Sequence, residues 1–324
     1  MDMCLLNPFS RKRIDLLSVM TLEMPCPRDR FMCKWQISKA FLSTTPTNSN
    51  CCFVMVIHEG FREFAYCKVG DTTWRPINGP DLTGKPYSFY VDAIYFKGKF
   101  YVIARTRVIY ICDLAALEPT MIEYCLGPEP SPHSSQMYLV ESGEGELLLV
   151  FQISTCNYYE DLIDDELECV EVHLRRATNK STEKRIEIPS KHSRYEDVID
   201  TYDYDNNFRH ASHKRVFVTQ YFEVYKLDTR SKSEPSWIEL VESLNGESLF
   251  VGLNQSFSVS NPRLFGYKEN KIYFTDNVIF MHQTFCCSGN DMGVFDLKEC
   301  TVESLDMRHF KYTRPPPIWV IPKP

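Results

Sequence analysis

The chain has 324 residues, 44% of them apolar and 13% aromatic, and a formal net charge of −7. This is ample material for a large core and excludes a disordered or fibrous chain. The mild acidic balance argues against a broad phosphate-binding face, and no apolar run approaches the length of a membrane span.

Leu5–Phe9 reads as a strand end running into an Asn7-Pro8 turn, which also accommodates the short basic triplet Arg11–Arg13. Residues 1–9 are too short an apolar stretch for a signal peptide, and the basic triplet follows them instead of preceding them. Lys34–Leu42 fits a strand, Cys51–His58 and Phe61–Val69 a hairpin, and Trp74–Ile77 its continuation. Gly79–Pro86 is rich in breakers. A well-marked module follows: Val91–Ile103 is predicted as a hairpin turning at Lys97-Gly98, and Val108–Leu114 as its third strand. Leu117–Leu126 fits more than one conformation. Gln136–Glu141 and Glu146–Ile153 flank a hairpin loop at Ser142–Gly145.

Residues 156–215 change character: an acidic run from Glu160 to Glu171 precedes a long polar stretch, with one further strand expected over Cys169–Arg176. They read as an insertion leaving the scaffold. Two strands, Val216–Gln220 and Tyr221–Asp228, then Trp237–Val241 and Ser248–Gly252, restore regularity. The module recurs, with a hairpin expected over Leu264–Asp276 and a third run at Gly293–Leu297, before Val302–Leu305 and an extended tail at Pro315–Trp319. Helical periodicity is scarce throughout.

A recurring all-β unit that cannot bury its own apolar faces must stack on its copies, which predicts a β-propeller. With blades of roughly 40–50 residues, the length divides into about six or seven four-stranded blades. The recurring aromatics Trp74, Tyr95, Phe96, Trp237, Tyr273 and Phe274 then read as packing between blades rather than as a ligand cage.

Motifs that carry chemistry are weak. Gly79–Lys85 matches the start of a phosphate-binding loop, but Pro86 stands where a Mg²⁺-binding hydroxyl belongs, and a strand follows instead of a helix. His210 with His213 and His282 with Cys286 are the close metal-type pairs, without partners at metal-site spacing. No Gly-x-Ser-x-Gly is present. The 13 cysteines include adjacent pairs, Cys51-Cys52 and Cys286-Cys287, whose side chains point to opposite faces of a strand. They read as free thiols in a reducing compartment. No catalytic, cofactor-binding or metal-binding residue is nominated, and no cofactor is expected.

Several segments together resemble the β-propeller domain of plant F-box proteins of the KIB type. They are Leu6–Phe9, the Asp92–Val102 hairpin, Leu139–Ser142 with Glu146–Val150, and Phe222–Asp228 followed by Trp237. Ser248–Gly252 with Ser256–Ser260, Ile272–Asp276, Gly293–Phe295 and Pro315–Trp319 complete the order. The resemblance runs over about residues 4–320, so residues 1–324 are taken as one propeller domain carrying the 156–215 insertion. It implies a non-catalytic module that captures protein partners, as substrate-recognition subunits of SCF-type ubiquitin ligases do. A nuclear or cytoplasmic site is implied, with an organelle as the family's variant location. No F-box segment is recognised, and the family's first hairpin is not matched, so docking to a Skp1-type adaptor is not expected. The alternatives are a shortened or decayed family copy and an enzyme built on a propeller scaffold. Neither nucleic acid nor membrane is expected as a partner.

Overall fold

The computed structural model describes residues 3–7, 9–18, 21–22, 37–45, 52–58, 62–80, 89–129, 134–160, 213–228, 235–240, 242–275 and 291–305. The chain forms two compact units, Met1–Asn157 with Arg215–Pro324, and Tyr158–Lys214. Little of the second unit is described; the described residues of the first form strands, turns and a 3-10 helix at Pro262–Phe265.

Among the described residues the first unit opens with a two-stranded sheet, β1 (Met3–Leu6) and β2 (Arg13–Leu16). Asn7 Oδ1 accepts hydrogen bonds from the N–H groups of Phe9 and Ser10, which makes the expected Asn-Pro turn. Three four-stranded sheets follow, each connected in chain order. The first holds β3 (Ile37–Leu42), β4 (Phe53–His58), β5 (Glu63–Lys68) and β6 (Arg75–Pro76). The second holds β7 (Tyr90–Phe96), β8 (Lys99–Ala104), β9 (Val108–Cys112) and β10 (Ile122–Leu126). The third holds β11 (Ser134–Glu141), β12 (Leu147–Glu160), β13 (His213–Asp228) and β14 (Ser236–Leu240).

The last sheet has five strands in the order β16 (Phe257–Val259), β15 (Ser248–Val251), β17 (Lys271–Phe274), β18 (Gly293–Asp296) and β19 (Thr301–Ser304). Leading edges meet: β3 lies against β7, β7 against β11, and β11 against β16. This is the arrangement of propeller blades around an axis.

Period-two alternation decides which interface each residue fills. In β4, Val54 and Val56 face the β1–β2 side, while Met55 and Ile57 face the second sheet. In β8, Phe100 and Val102 point to the first sheet, and Tyr101 and Ile103 to the third. In β12, Leu147, Leu149 and Phe151 face the second sheet, and Leu148 and Val150 the fourth. Strands buried on both faces therefore read as continuous apolar runs instead of alternating ones.

The structure departs from the sequence reading at several places. The described residues hold four sheets of blade size plus the two-stranded one, fewer than six or seven, because division by length also counts residues 161–212 and 306–324, which lie outside the described residues. Val216–Gln220 and Tyr221–Asp228 are one strand, β13. The expected first arm of the last hairpin is absent: Pro262–Phe265 is a 3-10 helix, opened by its proline and closed by Gly266 at φ 79°. Its place beside β17 is taken by β15, which pairs in parallel, whereas β7 pairs antiparallel with β8. The insertion expected over 156–215 is flanked by strand residues up to Glu160 and from His213. The strand expected at Cys169–Arg176 and the tail Pro315–Trp319 lie outside the described residues.

Candidate functional site

Two features stand out from the packed sheets: buried polar side chains that run from the leading strands β3, β7 and β11 to β12 and β13, and an exposed loop between β16 and β17.

The polar chain begins where β3 and β7 each carry a bulge, between Ile37 and Lys39 and between Tyr90 and Asp92. A bulge re-aims the following side chain. Lys39 and Asp92 turn toward each other across the interface, with side-chain exposures of 2% and 0%. Lys39 Nζ donates to Asp92 Oδ1 at 3.0 Å, and the N–H of Leu139 on β11 donates to Asp92 Oδ2 at 2.9 Å. One carboxylate thus ties three consecutive sheets. Burial pushes the Asp92 carboxyl above its ordinary range, while Lys39 and the N–H groups of Leu139 and Ala93 draw it back. Beside it, Tyr138 donates its hydroxyl proton to Gln152 Oε1 at 2.6 Å, and Gln152 Nε2 donates to Thr219 Oγ1 at 2.6 Å. The Thr219 hydroxyl donates to Asp291 Oδ2 at 2.7 Å. Every polar group in this chain has a partner inside the protein, so its chemistry is that of a clamp rather than of a reactive centre.

The loop Asn261–Asn270 is built on a stack of rings. Phe257 and Phe250 stack at a centroid distance of 5.1 Å, Phe250 and Tyr273 stack at 4.8 Å, and Tyr267 meets Phe250 and Tyr273 edge-on. Three further hydrogen bonds fix the backbone. Lys268 N–H donates to the Tyr273 hydroxyl at 2.9 Å, Ser248 Oγ donates to the Lys268 carbonyl at 2.6 Å, and Tyr267 N–H donates to the Pro262 carbonyl at 3.0 Å. On this fixed base Leu264 is 81% exposed and Phe265 55% exposed. A loop held this firmly displays its apolar residues in one conformation and loses little entropy on binding. The loop also walls a recess of about 340 Å³, with Lys298 and Asp296 from the β18–β19 turn region on its other side.

Of the residues singled out from sequence, Tyr273 belongs to the ring stack beneath the loop and the others fall elsewhere. Phe96 and Phe274 are fully buried between sheets, Trp74 and Tyr273 nearly so, and Tyr95 and Trp237 pack against the same cores. Trp237 Nε1 donates to the Leu126 carbonyl at 2.9 Å, joining the outer strands of the second and third sheets. Gly79 precedes strand β7, and residues 81–88 lie outside the described residues. The same holds for the side chains of His210, His213, His282 and Cys286, and for the acidic run beyond Glu160. Among the described residues no cluster of three or more His, Cys, Asp and Glu is placed to hold a metal, and no helix is long and apolar enough to cross a membrane. The described cysteines, including buried Cys52, Cys67 and Cys112, are free thiols.

Sequence reasoning missed both features. Asp92 was visible as a lone carboxylate between Val91 and Ala93, which is its signal. Lys39 lies 53 positions away and carried none. Leu264 and Phe265 have strand-type side chains, although Pro262 and Gly266 bracket them as loop.

Comparison with known proteins agrees with this architecture. The family model described as KIB1-4 beta-propeller matches residues 1–296. The chain belongs to the KIB1-4 beta-propeller family. It is similar to an Arabidopsis thaliana protein named as an F-box protein, with 31% identity over 146 residues, which is 45% of this chain and 38% of that relative. The chain thus matches well under half the length of that family relative.

Proposed function

We propose that this propeller is a non-catalytic protein-interaction module, which captures a partner through the Asn261–Asn270 loop. The observation that carries the reading is the rigid display of Leu264 and Phe265, 81% and 55% exposed, on a fixed aromatic base. Two adjacent large apolar side chains held open to water on one fixed loop suit a docking surface. The family relationship supports the same role, and the relative's F-box name points to partner delivery within a ubiquitin-ligase assembly. The buried polar chain fits a scaffold role, because its hydrogen-bonding capacity is spent inside the protein. A nuclear or cytoplasmic setting suits the free thiols.

The test is affinity capture from plant extract with the wild-type chain and a Leu264→Ser/Phe265→Ser variant, read by quantitative mass spectrometry. A reproducible set of proteins enriched on the wild type and depleted on the folded variant is expected. Equal capture by both proteins would remove the loop from the reading, and capture of nothing by either would remove the interaction role itself. Recovery of a Skp1-type adaptor among the wild-type partners would place the chain in a ligase.

A further inference from the structure

The recess beside the loop has a charge pattern that the composition of the chain does not explain. The protein is acidic overall, at −7, yet the recess is walled by Arg263, Lys268, Lys271 and Lys298 against Glu269 and Asp296. Two of these cations are already neutralised. Arg263 Nη2 pairs with Glu269 Oε2 at 2.8 Å, and Lys271 pairs with Asp296. Burial works upward on the Asp296 carboxyl, but the Lys271 hydrogen bond and the Glu299 and Lys298 N–H groups outweigh it and keep it ionised. Lys268 and Lys298 have no ion-pair partner among the described residues. The recess therefore carries a net charge of about two positive units, beside two exposed apolar side chains.

Resting on the interaction reading above, we propose that this recess binds an acidic peptide segment of the partner protein. Its carboxylates meet Lys268 and Lys298, and an apolar residue of the same segment rests on Leu264 and Phe265. The charge sign selects for acidic segments and against basic ones. The paired cations Arg263 and Lys271 hold the walls in place and leave Lys268 and Lys298 to the ligand. The 3-10 turn and the ring stack pre-set the geometry, so the contact needs no folding step on this side.

The experiment uses the full chain and fluorescence anisotropy with two short dye-labelled synthetic peptides. One alternates Glu and Asp with Leu; the other has Lys at every acidic position. The acidic probe is expected to bind, to weaken as salt is raised, and to lose roughly tenfold or more in affinity with Lys268→Glu/Lys298→Glu. Leu264→Ser/Phe265→Ser should weaken it as well. All four positions are exposed, so thermal midpoints should match the wild type and certify that the variants fold. Equal binding of the lysine probe, or acidic-probe binding that ignores the charge reversal, overturns the proposal. Sedimentation with phosphatidylserine vesicles in the absence of acidic-probe binding, abolished by Leu264→Ser/Phe265→Ser, overturns it in favour of a membrane surface. A chain that captures proteins through Leu264 and Phe265 but ignores the acidic probe keeps the interaction role and loses the acidic ligand. A chain that does neither loses both.

Discussion

Asp92 occupies a strand whose neighbours are apolar, and its ionised form is tolerated only because Lys39 and the Leu139 N–H meet both oxygens. Removing one member of such a pair leaves the other buried and uncompensated. Asp92→Ala is therefore expected to cost about 3–5 kcal/mol, read as a lowered denaturant midpoint. Lys39→Met/Asp92→Leu should recover most of that loss, since apolar replacement of a whole buried pair is often neutral. If Asp92→Ala unfolds at the wild-type midpoint, the clamp contributes nothing. The thiols give a second prediction. Burial pushes Cys67 and Cys112 up to about 12 and Cys125 up to about 11. In the native protein Cys4 and Cys300, both exposed, should react with a maleimide near neutral pH, and Cys67 and Cys112 should not until denaturant is added. A thiol whose folded pKa is raised favours the protonated native state. Its contribution is complete below the ordinary value of 9.0 and is lost as pH climbs toward about 12. Stability should thus fall over that alkaline window, by less in Cys67→Ala/Cys112→Ala than in the wild type.

At the scale of elements, turn chemistry made some strands readable and hid others. The β7–β8 hairpin was legible because Lys97-Gly98 supplies two positive φ values between apolar runs. The loop at Ser142–Gly145 was legible for the same reason, through Gly145 at φ 73°. By contrast, Leu264 and Phe265 have the side chains of a strand, and only the backbone limits of Pro262 and Gly266 turn them outward. Gly266→Ala is expected to destabilise by about 1 kcal/mol, because its φ of 79° lies in the left-handed region that favours glycine. The same change should reduce partner capture by loosening the displayed pair. Gly293→Ala is expected to cost more, since a Cβ there would lie 2.6 Å from the Glu303 carbonyl oxygen and 2.8 Å from the Phe274 ring. A thermal midpoint for Gly293→Ala equal to the wild type would show that β18 and β19 can part without penalty. The clamp was not legible at this scale, because bulges in β3 and β7 aim Lys39 and Asp92, and a bulge depends on the partner strand.

For the whole molecule, sequence alone predicted an all-β propeller, because apolar runs and turns recur along most of the chain. The number of sheets was not recoverable from length, since residues 161–212 add chain without adding to any described sheet. Their flanking strands β12 and β13 are neighbours in one sheet. Replacing residues 161–212 with a short Gly/Ser linker is therefore expected to preserve the near-ultraviolet circular dichroism of the propeller. It should also raise the thermal midpoint slightly, at about 0.6 kcal/mol per halving of the connection. Loss of the cooperative melt would show instead that this segment is part of the scaffold. The parallel pairing of β15 with β17 has a consequence for synthesis. The first two sheets are connected in chain order by links shorter than the one between Val251 and Lys271, so each can assemble soon after its own residues leave the ribosome. The last sheet cannot: β15 emerges by Val251 but waits for Lys271–Phe274 before its second edge is covered. During that interval an apolar strand stands half-paired on the nascent chain. A stall placed between Val251 and Lys271 should leave a species that binds chaperones, whereas a stall just after Leu126 should not.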